Sequence, residues 1–401
     1  MKFWSRSKVS LLLCLSLHLT LTLTLTLTLQ GCATAPPPPV PVQLFHDGLF
    51  KPAVQDLAAE QVFAFSPAMQ TYLDFGMRSQ LRNKGSRQGL LDALYNKSAL
   101  QLEYDSGDTR NAAQAFADRR GNCLSLVIMT AAFAKQLGLP VRYQSVYVDE
   151  LWSRSGDLYF LNGHVNLSLG PSLSESRDSA GDSRMLTVDF MRQPPGSRQR
   201  VQVIEEHTIV AMFMNNRAAE NLQAGQIDAA YWWARAALQS DPKMLAAYNT
   251  LGVIYRRHGD PSLAEPALRH VLAQEPGNTQ AMSNLVLLLN ELGRPAEATQ
   301  WAQQLAQLQP YPPYRFFDLG QAAMKAGDYA AASDWFSKEI ARSAYVPEFY
   351  FWLALANYGL GDLGAARRQM NLALENSTTQ QDRLLYTSKL DLLKQHRMPL
   401  R

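Results

Sequence analysis

The sequence predicts two folded parts in series, an α+β domain followed by an all-α solenoid. Three observations predict it. Glycines stand at 225, 259, 293, 327 and 361, spaced 34 residues apart without a break. The stretch 46–205 changes from helical apolar spacing to an alternation of period two at about residue 141. Ahead of both lies a charged, then apolar, then small-residue leader that ends in Cys32 and the proline run Pro36–Pro39.

The composition fits folded domains. At 401 residues, 47% hydrophobic and 18% charged, the chain is neither disordered nor collagen-like. Its formal charge of +3 comes from Lys2, Arg6 and Lys8 in the leader. Removing residues 1–31, which hold no acidic residue, leaves 35 basic and 35 acidic side chains. A balanced chain with no long basic run is not expected to bind nucleic acid.

Residues 1–31 are expected to be a signal peptide. Leu29-Gln30-Gly31-Cys32 resembles a bacterial lipobox, which implies lipidation of Cys32 as the new N-terminus. Ala33 in place of an aspartate resembles the sorting pattern for the outer membrane, so a lipid-anchored protein facing the periplasm is expected. The alternative is an uncleaved anchor of uncharged residues 9–29. Either one puts the rest of the chain outside the cytoplasm. Residues 32–45 form a proline-rich spacer. With Cys14 discarded and Cys32 acylated, Cys123 is the one remaining thiol, and no intramolecular disulfide is expected.

In the first domain, residues 56–118 read mainly as helices. Leu90, Leu91, Leu94 and Tyr95 give Ser86–Leu100 helical spacing. Leu102–Tyr104 is extended, Asp105–Asp108 is a turn, and Thr109 or Asp108 is expected to cap the next helix. Asn122 is an N-cap for Cys123–Leu137, a helix apolar on nearly every side that Gly138 and Pro140 terminate. Three strands follow: Val141–Val148, one within Leu158–Leu169, and Met185–Phe190. Alternation sets His164, Asn166 and Ser168 on one face. If Gly170–Arg184 joins an antiparallel pair, paired positions sum to about 354, which brings His164 within one position of Asp189.

The second part reads as five units, 211–244, 245–278, 279–312, 313–346 and 347–380, and a solvating cap in Gln381–His396. Ala230, Ala264, Ala298, Ala332 and Ala366 keep the same period, as do Pro242, Pro276 and Pro310. Period and residue types resemble the tetratricopeptide repeat, a pair of antiparallel helices in which the glycine ends the first helix and the alanine admits close packing. The resemblance implies a protein partner along a concave face built from the first helices. Asn215, Asn249, Arg256, Asn290, Phe317 and Tyr358 are its expected groove residues.

Cysteine at a buried helix N-terminus, histidine on a following strand and aspartate on the next resembles the transglutaminase-like superfamily, which is related to papain-type cysteine peptidases. The matching pieces are Arg120-Gly121-Asn122-Cys123, Leu137–Val141, Gly163-His164-Val165 and Thr187–Phe190. The family often has an aromatic residue after its cysteine and after its histidine. Leu124 and Val165 stand there, which argues against a true cross-linking enzyme. The resemblance implies a triad of Cys123, His164 and Asp189. A helix N-terminus and an imidazolium both favour the thiolate, and an aspartate would orient the imidazole. No metal is expected, because one free cysteine and no histidine pair at ligand spacing remain, and no cofactor motif is present. The expected function is amide hydrolysis in a peptide or protein. The alternatives are acyl transfer to an amine, or an inactive scaffold for envelope assembly.

Overall fold

The computed structural model describes residues 41–53, 57–96, 100, 102–147, 152–155, 158–161, 163–171, 185–190 and 200–395. The leader, Cys32, the proline run and segment 172–184 lie outside the described residues.

The first part is α+β. Ser66 caps the short helix α1 (Pro67–Thr71) by accepting the Met69 N–H. Helix α2 (Arg78–Tyr95) is broken at Gly85, where φ is +76°, so its second piece starts where the apolar spacing of Ser86 onward predicts. Strand β1 (Glu103–Tyr104) pairs in parallel with β2 (Arg120–Gly121), Tyr104 opposite Gly121. Between them lies α3 (Ala112–Asp118). Its cap is Asn111, which shares a capping box with Gln114, and not Thr109 or Asp108 as the sequence suggests. The physical reason is that Thr109 is occupied by Asn216 and Glu220, far along the chain.

Helix α4 (Cys123–Gln136) starts at the cap Asn122, and its residues Leu124–Ala134 are all buried. It packs on an antiparallel sheet of order β7-β6-β3-β8, formed by β3 (Val141–Tyr147), β6 (His164–Leu169), β7 (Leu186–Val188) and β8 (Arg200–Ile204). The period-two stretch 158–169 is two strands and not one. Its first half, β5 (Leu158–Leu161), forms a separate hairpin with β4 (Trp152–Ser155). The β6–β7 register sets Leu167 against Val188 and Ser168 against Thr187, so paired positions sum to 355, one more than the sequence arithmetic.

The second part is the solenoid. Its helix pairs are α5 (Glu206–Gln223) and α6 (Ile227–Ser240), α7 (Leu245–His258) and α8 (Pro261–Gln274), α9 (Thr279–Glu291) and α10 (Pro295–Leu308), α11 (Arg315–Ala326) and α12 (Tyr329–Arg342), α13 (Pro347–Gly359) and α14 (Leu363–Glu375), closed by α15 (Gln380–Lys394). The five periodic glycines all have positive φ, from +70° to +100°, which is why this position takes the residue without a Cβ. No helix among the described residues is long and apolar enough to cross a membrane.

The two parts belong to one compact unit. Helix α5 packs on α4, and Tyr143 donates its hydroxyl to Glu206 at 2.8 Å. The far end of the solenoid returns to the first domain. Ser106 N–H donates to Thr378 O at 3.1 Å, the two hydroxyls meet at 2.6 Å, and Arg383 pairs with Glu103 at 3.4 Å. The segment ahead of α1 lies against the repeats: Phe50 stacks on Tyr231 at 3.9 Å, and the Tyr255 hydroxyl donates to Leu44 O.

Candidate active site

Three elements bring the site together. Asn122 Oδ1 accepts the Ser125 N–H at 2.9 Å and so fixes the first turn of α4. Cys123 is the first residue of that helix and is partly exposed. Its own N–H lies among those that helix geometry leaves without an intrahelical acceptor. His164 opens β6 and is 1% exposed. Asp189 follows β7 directly.

His164 Nε2 and Asp189 Oδ1 are 2.7 Å apart. The acceptor-only carboxylate makes Nε2 the protonated nitrogen. Nδ1 is buried without a hydrogen-bond partner, so it is the nitrogen left to exchange a proton. Burial works against a charged imidazole here. The bond to Asp189 and then the neighbouring Cys123 thiol outweigh it, and the pKa rises from 6.5 to about 9. The raised pKa favours the imidazolium, and an imidazolium beside a cysteine favours the thiolate.

Two neighbours escape sequence reasoning. Asn166 Nδ2 reaches Asp189 Oδ2 at 3.4 Å, so both carboxylate oxygens have a partner. Its place two residues after His164, on the same strand face, is the available signal. Tyr104 is the other: β1 sets it opposite Gly121, two residues before Cys123, and burial first, then the charge of Cys123 and of Asp105, raise its pKa. Nothing in the sequence pairs residue 104 with 123. Among the described residues no cluster of three metal-ligating side chains occurs.

The expected groove residues divide. Asn290 is exposed, Tyr358 and Asn215 are partly exposed, and Arg256 pairs with Glu291 at 2.9 Å. Phe317 and Asn249 are corrections. Phe317 is fully buried among Tyr314, Phe336 and Phe349, because its ring fills the space between adjacent repeats. Asn249 is buried and accepts from Asn284 Nδ2 at 2.9 Å, a bond between repeats.

A family model described as the transglutaminase-like superfamily matches residues 77–179. The tetratricopeptide repeat model matches residues 249–313 and 317–380. The chain carries a transglutaminase-like domain followed by tetratricopeptide repeats. The superfamily includes cysteine peptidases and acyltransferases. The match to the transglutaminase-like domain takes in Cys123 and His164 and stops before Asp189, so the third residue stands on geometry alone. The first helix pair, α5 and α6, precedes the matched repeats, yet it has the same form and the same positive-φ glycine at 225.

Among solved structures, pilF of Pseudomonas aeruginosa is 24% identical over 48% of this chain and 88% of its own, with a TM-score of 0.28. TTC0263, a thermophilic tetratricopeptide-repeat protein of Thermus thermophilus, is 19% identical over 44% and 97%, also with a TM-score of 0.28. No curated protein sequence matches the chain.

Proposed function

We propose that the chain is a thiol-dependent amide hydrolase, anchored through Cys32 to the outer membrane and facing the periplasm, whose repeats bind a protein partner or substrate. The observation that carries the activity is the 2.7 Å contact of His164 Nε2 with Asp189, with the thiol of Cys123 beside the same ring.

The chemistry follows from the atoms present. With its proton held on His164 Nδ1, the Cys123 sulfur attacks the amide carbonyl carbon as a thiolate, forming a C–S bond and an oxyanion. The Cys123 N–H at the head of α4 is placed to donate to that oxygen. The C–N bond then breaks, and the imidazolium returns its proton to the leaving amine. Water, deprotonated by the same imidazole, releases the acid and restores the thiol. An amine in place of water gives acyl transfer by the same steps. Asp189 holds the Nε2 tautomer throughout, and Asn166 holds Asp189.

The test is a comparison of cell-envelope peptides and proteins from wild type and a Cys123→Ala strain. Accumulation of an uncleaved species that purified wild-type protein then cleaves supports the proposal. Identical envelopes, together with Cys123 alkylation no faster than in His164→Ala, would favour the scaffold reading. For the anchor, Cys32→Ala is expected to release the protein from membranes or leave it unprocessed, since stable attachment needs two acyl chains or more. Unchanged attachment and processing would refute it.

A further inference from the structure

Asn122 does more than cap α4. Its Oδ1 accepts from both the N–H and the hydroxyl of Ser125, each at 2.9 Å, and its Nδ2 donates to Thr109 Oγ1, also at 2.9 Å. Thr109 is 2% exposed, and its surroundings belong to the solenoid. Asn216 Nδ2 donates to the same Oγ1 at 3.2 Å, and Glu220 Oε1 accepts the Thr109 N–H at 2.7 Å. The second Glu220 oxygen is held by Arg217 at 2.6 Å. Asn216 and Glu220 are four residues apart on α5, so one helix face makes both contacts.

We propose that the first repeat helix positions the nucleophile of the transglutaminase-like domain: Glu220 and Asn216 fix Thr109, and Thr109 fixes Asn122 at the head of the helix that carries Cys123. The proposal rests on Cys123 being a nucleophile. Asn122 satisfies the first turn of α4 only while its amide keeps this orientation. Without the Thr109 oxygen its Nδ2 loses the one acceptor it has among the described residues, and the amide is free to turn at the expense of the cap. The direction of the Cys123 N–H and of its Cβ then changes, and reaction rates are sensitive to displacements of that size. Glu220 is partly buried, and a carboxylate there loses part of its hydration. Burial raises its pKa against the bonds from Thr109 and the charge of Arg217. A carboxylate kept in such a place is explained by its hold on Thr109.

A second contact points the same way. The loop from Glu103 to Thr109 is gripped by α5 at one end and, through Ser106 with Thr378 and Glu103 with Arg383, by the last repeat and cap at the other. Both ends of the solenoid therefore meet on the loop that holds Asn122. Glu220, Asn216 and Thr109 are positioning residues, and the repeats are part of the catalytic apparatus as well as a binding surface.

The test uses the full chain and iodoacetamide as the probe, with alkylation of the Cys123 peptide followed by mass spectrometry across pH. Thr109→Val and Glu220→Ala are each expected to slow alkylation fivefold or more at neutral pH and to shift the midpoint of the rate–pH profile. Thr109→Ser, which keeps the hydroxyl, should recover most of the rate and the original midpoint. Arg294→Ala, which breaks an exposed ion pair elsewhere in the solenoid, should change the rate less than twofold. Should Thr109→Val fail to fold, Asn216→Ala, which removes one bond of the set, is expected to slow alkylation at least twofold. Folded Thr109→Val and Glu220→Ala proteins that alkylate within twofold of wild type, with an unmoved midpoint, overturn the positioning role alone. A wild type no faster than His164→Ala overturns the nucleophile reading and this proposal with it.

Discussion

The protonation of His164 is where the site is most open to measurement. Its pKa stands at about 9 against 6.5 for a free imidazole, although the ring is buried. At 1.36 kcal/mol per pH unit, its partners therefore stabilise the imidazolium by a net of about 3 kcal/mol. Asp189 contributes a 2.7 Å bond and a charge, and Cys123 lies beside the same ring. Cys123→Ala removes one partner and should move the titration to between 6.5 and 9. Asp189→Asn removes the larger one and should lower the pKa further than Cys123→Ala does. Chain selectively labelled at histidine ring carbons, titrated by NMR, reads this directly, and the His164→Gln spectrum assigns the resonance. A wild-type His164 that titrates at 6.5 or lower, or one that Cys123→Ala leaves unmoved, would refute the coupling.

The same shift has a consequence for stability. A pKa raised on folding gives stability that is fully present below pH 6.5 and lost as pH rises through about 9, so wild type should lose up to about 3 kcal/mol more than His164→Gln between pH 6 and pH 10 in urea unfolding. An equal loss in both proteins would contradict it. Two glycines separate backbone from packing. A Cβ at Gly293 meets nothing within 4 Å, so Gly293→Ala should cost only its positive φ, about 1 kcal/mol, whereas a Cβ at Gly320 lies 2.5 Å from the Phe336 ring and should cost about 1–3 kcal/mol. Denaturation midpoints in the reverse order would count against the packing shown. Glu339 is buried and accepts the N–H groups of Phe316 and Phe317 at 2.8 and 3.1 Å, in place of a side-chain cap on α11. Glu339→Ala should cost about 2 kcal/mol, and an unchanged melting curve would show that those N–H groups find water instead.

Much of the architecture can be read from the chain, for a physical reason that also sets the limit. The repeat glycines are legible because each must adopt positive φ at a helix end, and a backbone demand of that kind writes one residue type at a fixed spacing. Asn122 and the helix behind it are legible because capping is local. Period two finds the polar face of β6 but merges it with β5, since alternation does not mark where one strand leaves the sheet and another enters. The His164–Asp189 contact follows from hairpin arithmetic that is one position short. The observed register sets Asp189 in line with Asn166, and His164 reaches it as a diagonal neighbour, a distance that a long side chain spans.

What cannot be read are contacts whose partners lie far apart along the chain. Thr109 looks like a cap because its type and neighbours suit one, yet its N–H and hydroxyl go to Glu220, Asn216 and Asn122, and Asn111 takes the cap instead. Phe317 looks like a groove residue because helical position alone places it on the first helix of its pair. The repeat spacing does not say that Phe349 of the next repeat closes over it. In both cases the local pattern is correct about the element and silent about what packs against it. The coupling between the repeats and the nucleophile helix is of this second kind, which is why it emerges only once α5 is seen against Thr109.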